Sequence, residues 1–350
     1  MQCTLFIPHL LPSGAIAEQA ASDLPLAALR KLFARSRHQR LAPVAAEAWL
    51  CQAFDVEKQQ DWPVAPLTLM LDGVDPGTHY WLCADPVHLR LQRNQMLLAD
   101  CSVLGLSKQD ADGIVTFLNQ HFAQDGLRFI APHAGRWYLS LERAPQMATR
   151  ALSEVIGADI NVNLPTGGDA LHWHKIANEI QMLLHNHPFN DAREARGEMT
   201  VNSVWLWGGG RRPAVPGRHF SEVWSDEALP CALAANADLP AAPLPADAGH
   251  WLRAIDSARP VDSHHLIVLG QLAAAAQYGD LARWREEITV LDRDWFAPLL
   301  AALRRRRISR LTLAAPGYRS SERFEVTPAD LLKFWRSGKP LPAYRPLRNS

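Results

Sequence analysis

Apolar residues along this chain recur in two rhythms, and the rhythms alternate. Short apolar runs at Cys3–Ile7, Tyr80–Cys83, Gln95–Asp100, Leu127–Ile130, Arg136–Leu141, Val201–Trp207, His264–Leu269 and Ser309–Ala314 read as strands. Between them lie stretches with apolar positions at helical spacing. Leu24–Arg40 carries Leu26, Leu29 and Phe33, and Ala42–Phe54 carries Val44, Ala48 and Leu50. Gln109–Phe122 turns Ile114, Phe117 and Leu118 inward. A helix capped by Asp169 runs to about Leu184, with Trp173, Ile176, Ala177, Ile180, Leu183 and Leu184 in one stripe. Gly279–Leu303 reads as one long helix burying Trp284, Ile288, Leu291, Trp295, Leu299 and Leu303. Thr327 as N-cap and Pro328 at the first helical position open a last helix.

Strands alternating with helices at both ends imply an α/β layer, and the strand-rich middle reads as an inserted α+β unit. Asp75-Pro76-Gly77 and Gly197 are the turn signals at its borders. Residues 1–75 with 198–350 then form the core, and 76–197 the insert. Connections in a mostly parallel sheet should be right-handed crossovers.

Composition narrows the function. Lys plus Arg equals Asp plus Glu at 36 each, so the balance argues against a nucleic-acid or membrane-surface binder. Cys3, Cys51, Cys83, Cys101 and Cys231 are scattered and odd in number, which fits a reducing cytoplasm better than a disulfide framework. No basic residue precedes the first apolar run, so it does not read as a signal peptide. No apolar run reaches the roughly 18 residues of a spanning helix.

The richest candidate chemistry lies between His185 and Arg212. A polar loop with Asn190, Arg193 and Arg196 leads through Asn202 into a strand with two tryptophans, then Gly208-Gly209-Gly210 and Arg211. Guanidinium groups, amides and bare backbone N–H groups are what an anion needs. The expected anion-binding set is therefore Asn190, Arg193, Arg196, Asn202, Gly208, Gly210 and Arg211, with the glycines forming a turn. The plainer reading pairs the arginines with Asp191, Glu194 or Glu198. His172, His174, His185 and His187 form a second cluster, read mainly as helix and cap residues. Arg304–Arg307 read as cations at a helix C-terminus. Trp284, Trp295 and Trp335 read as core residues. No Gly-x-Ser-x-Gly elbow is present.

Asn178-Glu179-Ile180, His187-Pro188-Phe189-Asn190, Arg193, Gly197 and Asn202-Ser203-Val204-Trp205-Leu206-Trp207-Gly208-x-Gly210 resemble the archaeal-type cofactor-independent phosphoglycerate mutases of the alkaline phosphatase superfamily. Ala84-Asp85-Pro86-Val87-His88-Leu89, Tyr278-Gly279-Asp280 and Trp295-Phe296-Ala297-Pro298-Leu299-Leu300 resemble, more closely, bacterial RpfE-type regulatory proteins. The first resemblance is specific around 171–213, and the second runs nearly full length. It implies an alkaline-phosphatase-like mostly parallel sheet flanked by helices, and a two-metal site built from Asp, His and a Ser nucleophile. The chain departs from that site four times. The opening strand ends in Pro8-His9 rather than Asp-Gly. Val64-Ala65-Pro66-Leu67-Thr68 lacks Ser followed by Asp. Gly270–Gln277 and Ala315-Pro316-Gly317 lack the metal-binding Asp and His.

The resulting expectation is a cytoplasmic, bacterial pseudoenzyme: a regulatory or anionic-ligand-binding protein without catalytic residues, metal or cofactor. It would bind a small phosphorylated ligand and leave room for a protein partner, but take neither nucleic acid nor membrane. One alternative is an active phosphomutase or phosphatase with a metal site rebuilt from Asp169, His172, His174, His185, His187 and Asp191. The other is a protein-interaction scaffold.

Overall fold

The short apolar runs assemble into two separate sheets. A computed structural model of the protein describes residues 1–11, 24–92, 95–256, 262–339 and 341–344. Its strands, in chain order, are β1 (Gln2–Phe6), β2 (Arg37–Leu41), β3 (Tyr80–Gln92), β4 (Gln95–Ala99), β5 (Arg128–His133), β6 (Arg136–Leu141), β7 (Ser203–Gly210), β8 (Glu222–Trp224), β9 (Ala241–Ala242), β10 (His264–Val268), β11 (Arg310–Ala315) and β12 (Ser321–Val326). The chain divides into two compact units, Met1–Phe54 with Gly217–Ser350, and Asp55–Pro216.

The first unit holds a seven-stranded sheet in the order β2-β12-β11-β1-β10-β8-β9. β1 lies parallel between β10 and β11, and β8 and β9 extend the parallel run. β12 and β2 close the other edge antiparallel. This is the mostly parallel, helix-flanked α/β core expected. One face buries Leu5, Ile267 and Leu313 against Leu29, Phe33, Trp284 and Leu299. On the other face Phe6 meets Trp49 of helix Ala46–Ala53 at 4.7 Å between ring centres.

Three readings change here. Arg37–Leu41 is not the end of a helix. Helix Ala27–Arg35 stops, and the polar Arg-His-Gln-Arg run pairs along β12 as an edge strand. The long helix is broken: Leu281–Leu291 and Ala297–Arg304 flank a π-helical turn at Asp292–Phe296. That turn aims the Asp292 carboxylate at the backbone N–H groups of Leu29 (2.7 Å) and Ala28 (3.3 Å), satisfying orphan donors at another helix's N-terminus. The last helix shrinks to a 3₁₀ turn, Asp330–Leu332, and Trp335 is 70% exposed rather than core.

The second unit holds an antiparallel sheet in the order β4-β3-β6-β5, with β7 paired to β3. Helix Lys108–His121 starts with a reciprocal cap between Ser107 and Asp110. Helix Ala170–His185 buries Trp173, Ile176, Ile180 and Leu184 of its stripe, while Ala177 and Leu183 are half-buried. This unit starts at 55 and ends at 216, rather than at 76 and 197. The reasons are local. Asp72 accepts hydrogen bonds from Arg136 and from Tyr138 (2.6 Å) on β6, and β7 can pair only with β3. No described helix is long and apolar enough to cross a membrane, and all five cysteines are free.

Candidate functional site

The expected anion cradle lies in the second unit, and its groups are already spent. Arg193, on helix Pro188–Ala195, is 1% exposed. Its Nε donates to the Met199 carbonyl (2.8 Å), and a terminal nitrogen donates to the Leu104 carbonyl. Another terminal nitrogen lies 3.3 Å from Glu198, and the guanidinium sits 5.6 Å from the Phe189 ring centre. Asn190 donates to Leu184 and Val201 carbonyls and accepts from the Val201 N–H. Asn202 does the same to both backbone groups of Leu89. Arg196 pairs through two nitrogens with Glu198 on the surface. Arg211 donates its backbone N–H to the Gln59 side-chain oxygen and its guanidinium to the Glu142 carbonyl.

These residues do not converge. Asn202 and Arg211 flank the two ends of an eight-residue strand, which at about 3.3 Å per residue separates them by roughly 25–30 Å. The glycines are not a turn either. Gly208, at φ +64, carries a bulge that slips β7 against β3. A side chain on Gly209 would run into the Tyr80 hydroxyl and Leu82, and one on Gly210 into Pro63 at 2.5 Å. They are glycines because the strand is packed against other chain on both sides.

The histidines separate too. His172 and His185 lie thirteen residues apart on one helix, about 20 Å. His174 contacts the Pro165 carbonyl at 2.9 Å, and His187 caps the next helix by accepting from Phe189 N–H. Asp169 accepts from Gln146 N–H instead of capping its own helix, and Asp191 is exposed.

In open α/β sheets the crevice beyond the carboxyl ends of the parallel strands is where sites form. In the first unit β1 delivers His9 there, at φ +60, an unusual backbone state for a side-chain-bearing residue. Burial pushes its imidazole down to about 4, so it is neutral near pH 7. Its ring centre lies 6.4 Å from Tyr318, beyond β11. β8 delivers Ser225-Asp226-Glu227, and the Glu227 carboxylate occupies the space that a side chain on Gly270, after β10, would need. Crowding by the protein, with Glu47 and Asp226 adding like charge, raises the Glu227 carboxyl. Sequence reasoning passed over Glu227. The signal was a carboxylate directly after a short apolar run, and that run was too brief to read as a strand.

Two metals need several convergent carboxylates and imidazoles. The strand ends offer a neutral His9, the Asp226 and Glu227 carboxylates, Gly270-Gln271 and Ala315-Pro316-Gly317. Among the described residues no group of three or more His, Cys, Asp or Glu side chains is placed to hold a metal ion.

No family model matches the chain. Over 135 residues it is 26% identical to the probable 2,3-bisphosphoglycerate-independent phosphoglycerate mutase of Geobacter sulfurreducens, covering 38% of this chain and 34% of that protein. Over 159 residues it is 24% identical to the corresponding mutase of Methanosarcina mazei, covering 40% of each. A 71-residue stretch is 35% identical to the mutase of Methanothrix thermoacetophila, covering 20% of this chain and 18% of that one. The chain thus spans two fifths or less of the length of these curated relatives. Among solved structures, the PH0037 protein from Pyrococcus horikoshii shares the fold over 97% of this chain and 91% of its own, at a TM-score of 0.55 and 11% identity. The cofactor-independent phosphoglycerate mutase from Thermoplasma acidophilum aligns over 99% and 96%, at a TM-score of 0.48 and 13% identity. Over these stretches the chain is similar to phosphoglycerate mutases.

Proposed function

We propose that this mutase-like chain does not carry out two-metal phosphoryl transfer and works instead as a regulatory, ligand-binding protein. One observation carries the reading. At the carboxyl ends of β1, β10 and β11 the described side chains are a neutral histidine, a glycine under a carboxylate, and an Ala-Pro-Gly turn. Neutralising a phosphoryl group takes concentrated positive charge, and among the described residues the Glu227 and Asp226 carboxylates are not joined by the further Asp and His donors that would anchor it. A site rebuilt from His172, His174, His185 and His187 finds no support in their spacing along the helix.

Metal analysis of protein purified without chelator or affinity tag tests the proposal. Substoichiometric Mn and Zn, with no conversion of 3-phosphoglycerate, is the expected result. Two equivalents of metal with turnover would overturn it. A second reading, an interaction scaffold, draws on one surface feature: Leu332, Phe334 and Trp335 are 72%, 81% and 70% exposed. Arg35 holds the backbone behind them through the Phe334 and Arg336 carbonyls. Exposed aromatic patches of this kind mark contact surfaces.

A further inference from the structure

The seven-stranded sheet has a cavity of about 220 Å³ on the face that carries Thr4 and Thr312, lined wholly by residues of the first unit. It is separate in kind from the strand-end crevice, being walled by strand side chains and by helix Ala46–Ala53. Trp49 and Phe220 supply flat apolar walls. An apolar cavity of about 150 Å³ holds benzene, so this volume suits one ring with a short substituent.

The polar groups say what that substituent is. Ser321 is 2% exposed, lines the cavity, and its hydroxyl has no hydrogen-bond partner. A buried hydroxyl without a partner is costly, and an acceptor on a ligand would relieve it. Arg323 lines the same cavity with its side chain 46% exposed, so it stands at the rim. Arg323 and Arg310 share the single Glu325 carboxylate, at 3.4 and 3.5 Å. Two guanidinium groups on one carboxylate leave a net positive charge. The carboxylate of Glu322 is occupied by His38 (2.6 Å) and Arg40 (2.8 Å). His264 is bonded to the Thr4 hydroxyl at 2.9 Å, and burial, with Arg310 and Arg323 nearby, lowers its imidazole pKa.

We propose that this cavity binds a small single-ring carboxylate, its ring between Trp49 and Phe220 and its carboxylate toward Ser321 and Arg323. The site stands whether or not the strand ends are catalytic, and no metal enters its test.

Isothermal calorimetry and ligand-observed NMR with benzoate, benzyl alcohol and benzylamine decide the matter on the full chain. Benzoate should bind with a Kd below about 1 mM, and benzyl alcohol about tenfold more weakly. Arg323→Gln, a rim change that leaves the core intact, should weaken benzoate about tenfold and leave benzyl alcohol unchanged. Thr312→Leu should fill the cavity and abolish binding of both; if that variant does not fold, Ala53→Leu fills it from the helix side. No benzoate binding at about 10 mM, equal binding of benzylamine, or benzoate affinity unchanged in Arg323→Gln would each overturn the proposal.

Discussion

Replacing Arg193 by Ala separates a structural guanidinium from a ligand-binding one. The side chain is buried and bonded to two backbone carbonyls, those of Met199 and Leu104. Hydrogen bonds from a charged donor contribute about 1.5–3 kcal/mol each, and carbonyls stripped of a donor add a desolvation cost. Two such bonds give about 3–6 kcal/mol. Water entering the vacated space would repair part of the loss, so about 3–4 kcal/mol is the expected destabilisation. Arg193→Lys keeps the charge but not the planar fork, and should fall between. The assay is urea unfolding, read as a shift in midpoint at constant slope. Calorimetry with phosphate and 3-phosphoglycerate on the same samples supplies the other half. Arg196→Ala, whose partner Glu198 is exposed, should leave the midpoint where it is. Wild-type stability in Arg193→Ala, together with loss of phosphate binding, would refute the structural argument and restore the anion site.

Three further outcomes are expected. Gly209→Ala should lower the thermal midpoint by the equivalent of about 1–3 kcal/mol, because its side chain would enter Tyr80 and Leu82; a neutral result in differential scanning calorimetry would mean that β7 is less tightly held than described. Gly208→Ala should cost about 1–2 kcal/mol from its left-handed backbone alone. Asp85, whose second carboxylate oxygen lacks a partner, is pushed up to about 7 by burial. Its folded value lies above the unfolded one near 3.9, so its contribution is full below pH 4 and is lost as pH rises toward 7. Relative to wild type, Asp85→Asn should therefore gain on the order of 2–4 kcal/mol between pH 4 and 7. A pH-independent difference between the two urea midpoints would sink that assignment.

Much of the fold was legible because local pattern and tertiary role agree. β1, β10 and β11 are central strands, and their mainly apolar, buried runs say so. Helix Lys108–His121 announces itself by its cap and its stripe. The failures share one cause, a role set by distant partners. Arg37–Leu41 has no strand-like composition, and only β12, almost three hundred residues later, makes it a strand. The glycine triplet carries the letters of a turn, yet the need for glycine comes from Pro63, Val64 and Tyr80 across the packing interface. Arg193 was expected to hold an anion, and its donors instead meet the Met199 and Leu104 carbonyls. A guanidinium fork meets a carbonyl as readily as a phosphate, and sequence alone does not say which stands opposite.

The place of β1 also governs how the molecule can be made. Gln2 pairs with His264 on one side and Arg310 on the other. At about 5–20 residues per second, a ribosome takes on the order of tens of seconds to deliver those partners after β1 emerges. The second unit, one continuous stretch from Asp55 to Pro216, needs nothing that is synthesised later to complete its own sheet. It can fold while the opening strand, with both edges bare, still waits. The chain then resumes the first unit at Gly217, whose N–H donates to the Phe54 carbonyl at 2.6 Å. Birth order therefore runs opposite to architectural order: the insert is finished first, and the core closes last around a strand synthesised before the insert.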